Sequence, residues 1–188
     1  HFRSLLVLHP DEPAYELQLA EALLAIDQWA EAASLMNIAL MREEVGQSDK
    51  LEIGRLFFQR AMEHRDAVSD ALKVLTELSR QYPDDWRPLW FLGAVSFNEG
   101  DLVHAAAYFT SVLERSPGST DAANMLARTL LGLERFSEAV DTIEELADAG
   151  SATAESWPLL GYAWSSLGRE DKAISSLEEA LRLDPSNL

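Results

Sequence analysis

The stretch Ala154–Pro185, AESWPLLGYAWSSLGREDKAISSLEEALRLDP, holds two apolar rows separated by the turn Leu167-Gly168-Arg169. In its first half Trp157, Leu160, Gly161 and Trp164 follow the three- and four-residue spacing of one helix face. In its second half Ala173, Leu177 and Ala180 stand at i, i+4 and i+7, which makes a stripe on a second helix. Pro185 then marks the end of that helix, because proline lacks the N–H that would continue it.

The same arrangement recurs upstream. Ala173, Ala139, Ala105 and Ala71 are evenly spaced along the chain. Thirteen positions before each lies Phe58, Leu92, Leu126 or Leu160, followed by Gln59, Gly93, Ala127 or Gly161. A small residue at that second position lets two antiparallel helices approach closely. Four positions after each alanine comes Leu75, Phe109, Ile143 or Leu177, and three later Leu78, Val112, Leu146 or Ala180. Twelve positions after each comes Pro83, Pro117, Ser151 or Pro185. The units therefore begin at Glu52, Trp86, Thr120 and Ala154. A fixed period decides the fold, because each unit buries its stripes only against its neighbours.

These residues resemble the tetratricopeptide family, whose helix-turn-helix unit of about 34 residues carries a W-x2-L-G-x2-Y…A-x3-F…P pattern. The unit from Ala154 matches best. A further unit starts near Pro13 and holds Leu19, Ala20, Leu23, Trp29, Ala32, Met36 and Ala39. The interval from its Ala32 to Ala71 exceeds the repeat by five positions, which places an insertion in the Glu43–Ser48 region, with Asp49 and Glu52 restarting a helix as a capping box. Phe2, Leu5, Leu6 and Pro10 fit the second helix of a half unit. The boundaries expected on this basis are a half repeat at 1–12, repeats at 13–46, 52–85, 86–119, 120–153 and 154–188, and an insertion at 47–51. The resemblance implies an all-α, right-handed superhelical array of antiparallel helix pairs, a single solenoid of five full repeats plus the N-terminal half repeat. Three departures are visible: Gln59 replaces the small residue, His64-Arg65-Asp66 replaces the usual glycine turn, and Glu170 stands where the other turns have Trp29, Val68, Leu102 or Phe136.

Composition narrows the function. With 32 acidic against 15 basic residues the formal charge is −17, which repels nucleic acid and anionic membranes. There are no cysteines, so disulfides, thiol catalysis and cysteine zinc sites are excluded. The four histidines make no H-E-x-x-H or other metal spacing, and no phosphate-cradling glycine loop or nucleophile elbow is present. Adjacent acidic pairs such as Glu144-Glu145 and Glu178-Glu179 point about 100° apart on a helix and do not converge on one atom. The sequence therefore reads as no enzyme, with no cofactor and no metal site. No uncharged apolar stretch reaches the roughly 18 residues of a membrane span. The start at His1, without an initiator Met, reads as a fragment of something longer or a processed form and leaves the compartment unknown.

In the family the first helix of each unit turns its positions 2, 5, 6, 9, 12 and 13 towards a groove. Carried over, this register implies partner-binding residues Phe57, Arg60, Arg87, Trp90, Phe91, Phe97, Asn124, Arg128 and Tyr162. Aromatics left over from the core can anchor a partner, and arginine takes a carboxylate bidentately. The family's clamp for chaperone C-termini requires lysines and asparagines where this chain has Leu17, Glu21, Phe57 and Phe91, so that mode is absent. The expected function is a protein-protein interaction scaffold holding an extended or helical segment of another protein or peptide. The alternatives are a homo-oligomerising module joined through the repeat ends, whose apolar set around Leu181 and Leu183 should be exposed, or the docking arm of a larger enzyme.

Overall fold

The computed structural model of the chain describes residues 13–185, and the expected half repeat at 1–12 lies outside them. Among the described residues every regular element is helical. They fall into two compact units divided between Gln81 and Tyr82.

The first unit holds α1 (Pro13–Leu24), α2 (Trp29–Met41), α3 (Gln47–Glu63), a 3-10 turn at Arg65–Ala67, and α4 (Val68–Gln81). Helix α1 packs on α2, α2 on α3, and α3 on α4. The second holds α5 (Trp86–Asn98), α6 (Leu102–Arg115), α7 (Thr120–Gly132), α8 (Phe136–Asp148), α9 (Ser156–Ser166) and α10 (Glu170–Leu183). Each of these packs on the next along the chain, α5 also touches α7, and α7 touches α9. First helices thus lie beside first helices.

The repeating alanines are where two helices of a pair meet. Ala32, Ala71, Ala105, Ala139 and Ala173 are all buried. A Cβ on Gly93 would come 2.8 Å from the Phe109 ring, and one on Gly161 would come 3.1 Å from Leu177 and 3.3 Å from the Ala173 carbonyl oxygen. Only a small residue fits there, which is the contact the repeat pattern implies.

Four of the five helix pairs share one turn. Asp27, Gly100, Glu134 and Gly168 take positive φ of 56 to 81°. The N–H of the residue after each, Gln28, Asp101, Arg135 or Arg169, donates to the carbonyl of Leu23, Ser96, Leu130 or Trp164 at 2.8 to 2.9 Å. This left-handed stop satisfies carbonyls that a helix end leaves orphaned. The pair α3/α4 departs from it: His64 is extended at φ −135°, and the 3-10 turn follows.

That departure corrects the expected boundaries. Residues 47–51 are no insertion; they open α3, whose N-cap is Gly46 without a side-chain cap, so Asp49 and Glu52 form no capping box. The close contact of this pair is made by Gly54, whose Cβ would fall 2.4 Å from Leu78 Cδ1, while Gln59 is exposed. Gly54 stands one full repeat after Ala20, and Ala71 follows Gly54 by five more positions than Ala105 follows Gly93. The extra positions therefore sit after the first helix of this repeat has made its close contact, in the long end of α3 and the turn beyond it.

The last pair leaves a face open. Val140 and Ile143 on α8 are 3% and 0% exposed, whereas their counterparts one repeat on, Ile174 and Leu177, are 56% and 46% exposed. Leu181 and Leu183 are exposed beside them, as expected from their sequence.

Candidate functional site

The first helices α5, α7 and α9 place seven of the nine expected residues in the second unit. Arg87, Trp90, Phe91 and Phe97 are on α5, Asn124 and Arg128 on α7, and Tyr162 on α9. Trp90 and Asn124 hold the same repeat position on touching helices, and so do Arg128 and Tyr162.

Trp90 and Phe91 meet edge to face, with centroids 5.8 Å apart and planes at 83°. Both are half-buried, as is Phe97, and Tyr162 is largely exposed. The helix is started by Asp85, whose carboxylate accepts the Arg87 N–H at 3.0 Å. The same carboxylate draws back the Arg87 guanidinium, with Nε donating at 2.9 Å and Nη2 at 2.5 Å, and this pairing holds the Arg87 pKa above its ordinary value. Arg87 is thereby committed to its own helix end. Arg128 is different: its Nη2 stands 3.9 Å from Glu155 Oε2, and both side chains are open to water. Such a pair is worth about 0 to 1 kcal/mol and yields readily to another carboxylate.

Asn124 is only 6% exposed, and its Oδ1 is buried with no hydrogen-bond partner. An orphaned buried acceptor costs about 1 to 3 kcal/mol. Its neighbours along the helix, Thr129 and Met125, satisfy one another through a 2.6 Å bond from Thr129 Oγ1 to the Met125 carbonyl.

Phe57 and Arg60 are on α3, in the first unit. Phe57 is fully buried and meets Trp29 edge to face at 5.1 Å. Arg60 lies over the same Trp29 ring at 5.5 Å and reaches Asp27 at 3.5 Å. The shifted register is the reason: Phe57 occupies the core position held by Leu23, Ser96 and Leu130 elsewhere. The outward row of α3 is Ser48, Glu52, Arg55 and Gln59, in which Arg55 bonds to Glu52 at 2.8 Å and to Gln59 at 3.2 Å. The full-repeat step from Ala20 to Gly54 was the signal in the sequence for that row.

A second concave feature of the second unit lies between α8, α9 and α10. A groove of about 720 Å³ is lined by Trp157 and Trp164 of α9 and by acidic residues of α8 and α10. Among the described residues no three His, Asp or Glu side chains are grouped to hold a metal ion, and no helix is long and apolar enough to cross a membrane.

Comparison with known proteins agrees with this architecture. Three tetratricopeptide repeat family models match residues 55–120, 96–161 and 154–187. Among solved structures, MamA residues 41 to the end from Desulfovibrio magneticus RS-1 is 29% identical, with 74% of this chain and 78% of that one aligned at a TM-score of 0.64. YrrB, described as a TPR protein with an unusual peptide-binding site, aligns over 99% of this chain and 93% of its own at 15% identity and a TM-score of 0.74. Among curated proteins, FlbA of Caulobacter vibrioides is 26% identical over 89% of this chain. Anaphase-promoting complex subunit 3 of Dictyostelium discoideum is 35% identical over 40% of it. The chain spans 28% and 8% of the length of these two relatives.

Proposed function

The chain belongs to the tetratricopeptide repeat family, and from that we propose that it is a protein-interaction scaffold whose first-helix face in the 82–188 unit holds a segment of a partner protein. The observation that carries this reading is Asn124. Its buried Oδ1 has no partner, yet it shares a repeat position with Trp90, in a row that also presents half-open Phe91 and open Tyr162 and Arg128. Aromatic rings of the row supply the contact area, a partner carboxylate takes Arg128 from Glu155, and the Asn124 amide turns outward on binding so that its oxygen accepts a partner main-chain N–H. Peptide binding by YrrB, a protein of the same fold, supports the type of ligand. The role is scaffolding rather than catalysis, as is usual in this family.

Affinity capture from the source organism, compared between wild type and Asn124→Leu, tests the reading. A partner retained by the wild type and lost from the folded variant supports it. An identical set of partners on both removes this face from the function.

The open apolar row of α10 favours a second reading, in which copies of the chain associate through Ile174 and Leu177. Sedimentation of wild type against Ile174→Glu decides it: association in the wild type alone supports self-assembly, and a wild type monomeric at high concentration refutes it.

A further inference from the structure

Helix α3 carries a turn that no other first helix among the described residues has. Helices α5, α7 and α9 end at Asn98, Gly132 and Ser166, which share one repeat position, and α1 stops one position earlier. In α3 that position is Gln59, and the helix runs on to Glu63. Where the corresponding helices of the second unit meet, Leu102 fills the space: its Cδ1 lies 2.8 Å from where a Cβ on Gly132 would stand. In the first unit the Leu102 position is held by Trp29, and the extra turn of α3 sets Arg60 and Glu63 beside it. A pocket of about 200 Å³ remains there, with Leu24 and Leu56 in its lining and Asp27, Glu63 and Arg60 as its charges. The pocket is thus a product of the added turn and not of the repeat.

The charges restrict what can enter. Arg60 lies over the Trp29 ring at 5.5 Å, and its ion pair with Asp27 is long at 3.5 Å, to a side chain that is 87% exposed. Such a pair is weakly held and most of the guanidinium fork is unused. An anion would take Arg60 but leave Asp27 and Glu63 beside a like charge, and a cation would leave Arg60 without a counter-ion. A zwitterion satisfies both sides: its carboxylate replaces Asp27 on Arg60, and its ammonium group takes the released Asp27 together with Glu63. Roughly 150 Å³ of apolar cavity is enough for a benzene ring, so the remaining space suits one apolar side chain against Leu24, Leu56 and Trp29.

We propose that this pocket binds a free apolar α-amino acid of leucine to phenylalanine size. In such a molecule carboxylate, ammonium and side chain leave one carbon, so all three groups that recognise them must line one small pocket, as they do here. A residue inside a polypeptide carries neither charge, a C-terminal residue lacks the ammonium group and an N-terminal one lacks the carboxylate. The whole site belongs to the first unit, and it stands or falls independently of the first-helix face of the second.

The test titrates L-leucine and L-phenylalanine into the isotope-labelled whole chain by NMR, with the Leu24 and Leu56 methyls, the Trp29 indole N–H and Arg60 Nε as reporters. The proposal expects saturable shifts at these groups. Isocaproate, which is leucine without its amine, and isoamylamine, which is leucine without its carboxylate, should each bind about tenfold more weakly or worse, because each leaves a charge of the pocket unpaired. N-acetyl-leucine amide, the mimic of a residue inside a chain, should produce no saturable shift. Arg60→Gln should weaken leucine binding about tenfold or more. Glu63 is exposed, so Glu63→Gln keeps the fold and tests the ammonium side separately from the packing of Arg60 on Trp29; it should weaken leucine at least threefold. Glu43→Gln, an exposed carboxylate of the same unit outside the pocket, should leave binding unchanged. The absence of saturable shifts with both amino acids would overturn the assignment, as would full affinity in Glu63→Gln. Equal binding of isocaproate or isoamylamine would make this a plain ion site, and equal binding of the blocked leucine would make it a socket for a partner's side chain; either result refutes the proposal.

Discussion

Gly54 and Leu78 are in direct contact across the α3/α4 pair, so close that a Cβ on the glycine would fall 2.4 Å from Leu78 Cδ1. This contact fixes where the second repeat begins. Gly54→Leu should destabilise the protein by about 1 to 3 kcal/mol, the usual cost of overpacking a filled core. Gln59→Ala, at the exposed position that the alanine spacing marks as small, should stay within about 0.5 kcal/mol of wild type. Urea unfolding of both variants checks the register, and the reverse order of effects would restore the boundary at Glu52.

Phe57 follows from the same register. Fully buried against Trp29, it should behave as a core residue, and Phe57→Ala should cost about 3 to 5 kcal/mol. The variant, wherever it remains folded, should keep wild-type affinity for a partner of the first-helix face. A binding defect without loss of stability would return Phe57 to the interface.

The fold was legible because the buried alanines, the apolar residues after them and the turn residues all repeat at one spacing. The register of one repeat was not, since counting back from Ala71 crosses five extra positions that leave helical periodicity intact; α3 simply runs longer and ends in an extended His64. The pair Ile53-Gly54 resembles Leu92-Gly93 and Leu160-Gly161 more closely than Phe58-Gln59 does, so the clue was local packing chemistry rather than period. Within the second unit the positions of Trp90, Arg128 and Tyr162 were readable. What the sequence could not show was the orphaned acceptor on Asn124 or the return of Arg87 to Asp85, because both depend on how side chains close upon their neighbours.

Asn124 should carry opposite effects on stability and binding. Leu in its place removes a buried acceptor that has no partner in the free protein, so Asn124→Leu should raise stability by about 1 to 3 kcal/mol while weakening the partner complex. Thermal unfolding measures the first effect. A clear loss of stability would mean that the amide supports the free fold, and would withdraw it from the binding site.

The acid limb of stability has a specific contributor on α4. Arg80 donates to Glu77 at 2.6 and 2.9 Å, Gln81 adds an amide bond at 2.8 Å, and together they lower the Glu77 pKa to about 2. A carboxyl whose folded pKa is depressed lends stability above its unfolded value and loses it as pH falls through the folded one. Here that window runs from the usual carboxylate value of 4.5 down to about 2. Arg80→Ala should move the Glu77 titration upward, as followed by carboxyl carbon NMR. An unmoved midpoint would show that the ion pair does not form in solution.

Direct titration of a captured partner segment into wild type and Trp90→Ala, with helicity checked by circular dichroism, tests the central claim. Truncating an aromatic anchor costs about 2 kcal/mol or more, so the folded variant should bind about 30-fold more weakly. Wild-type affinity in folded Trp90→Ala would contradict the account and move the binding site off the first-helix face.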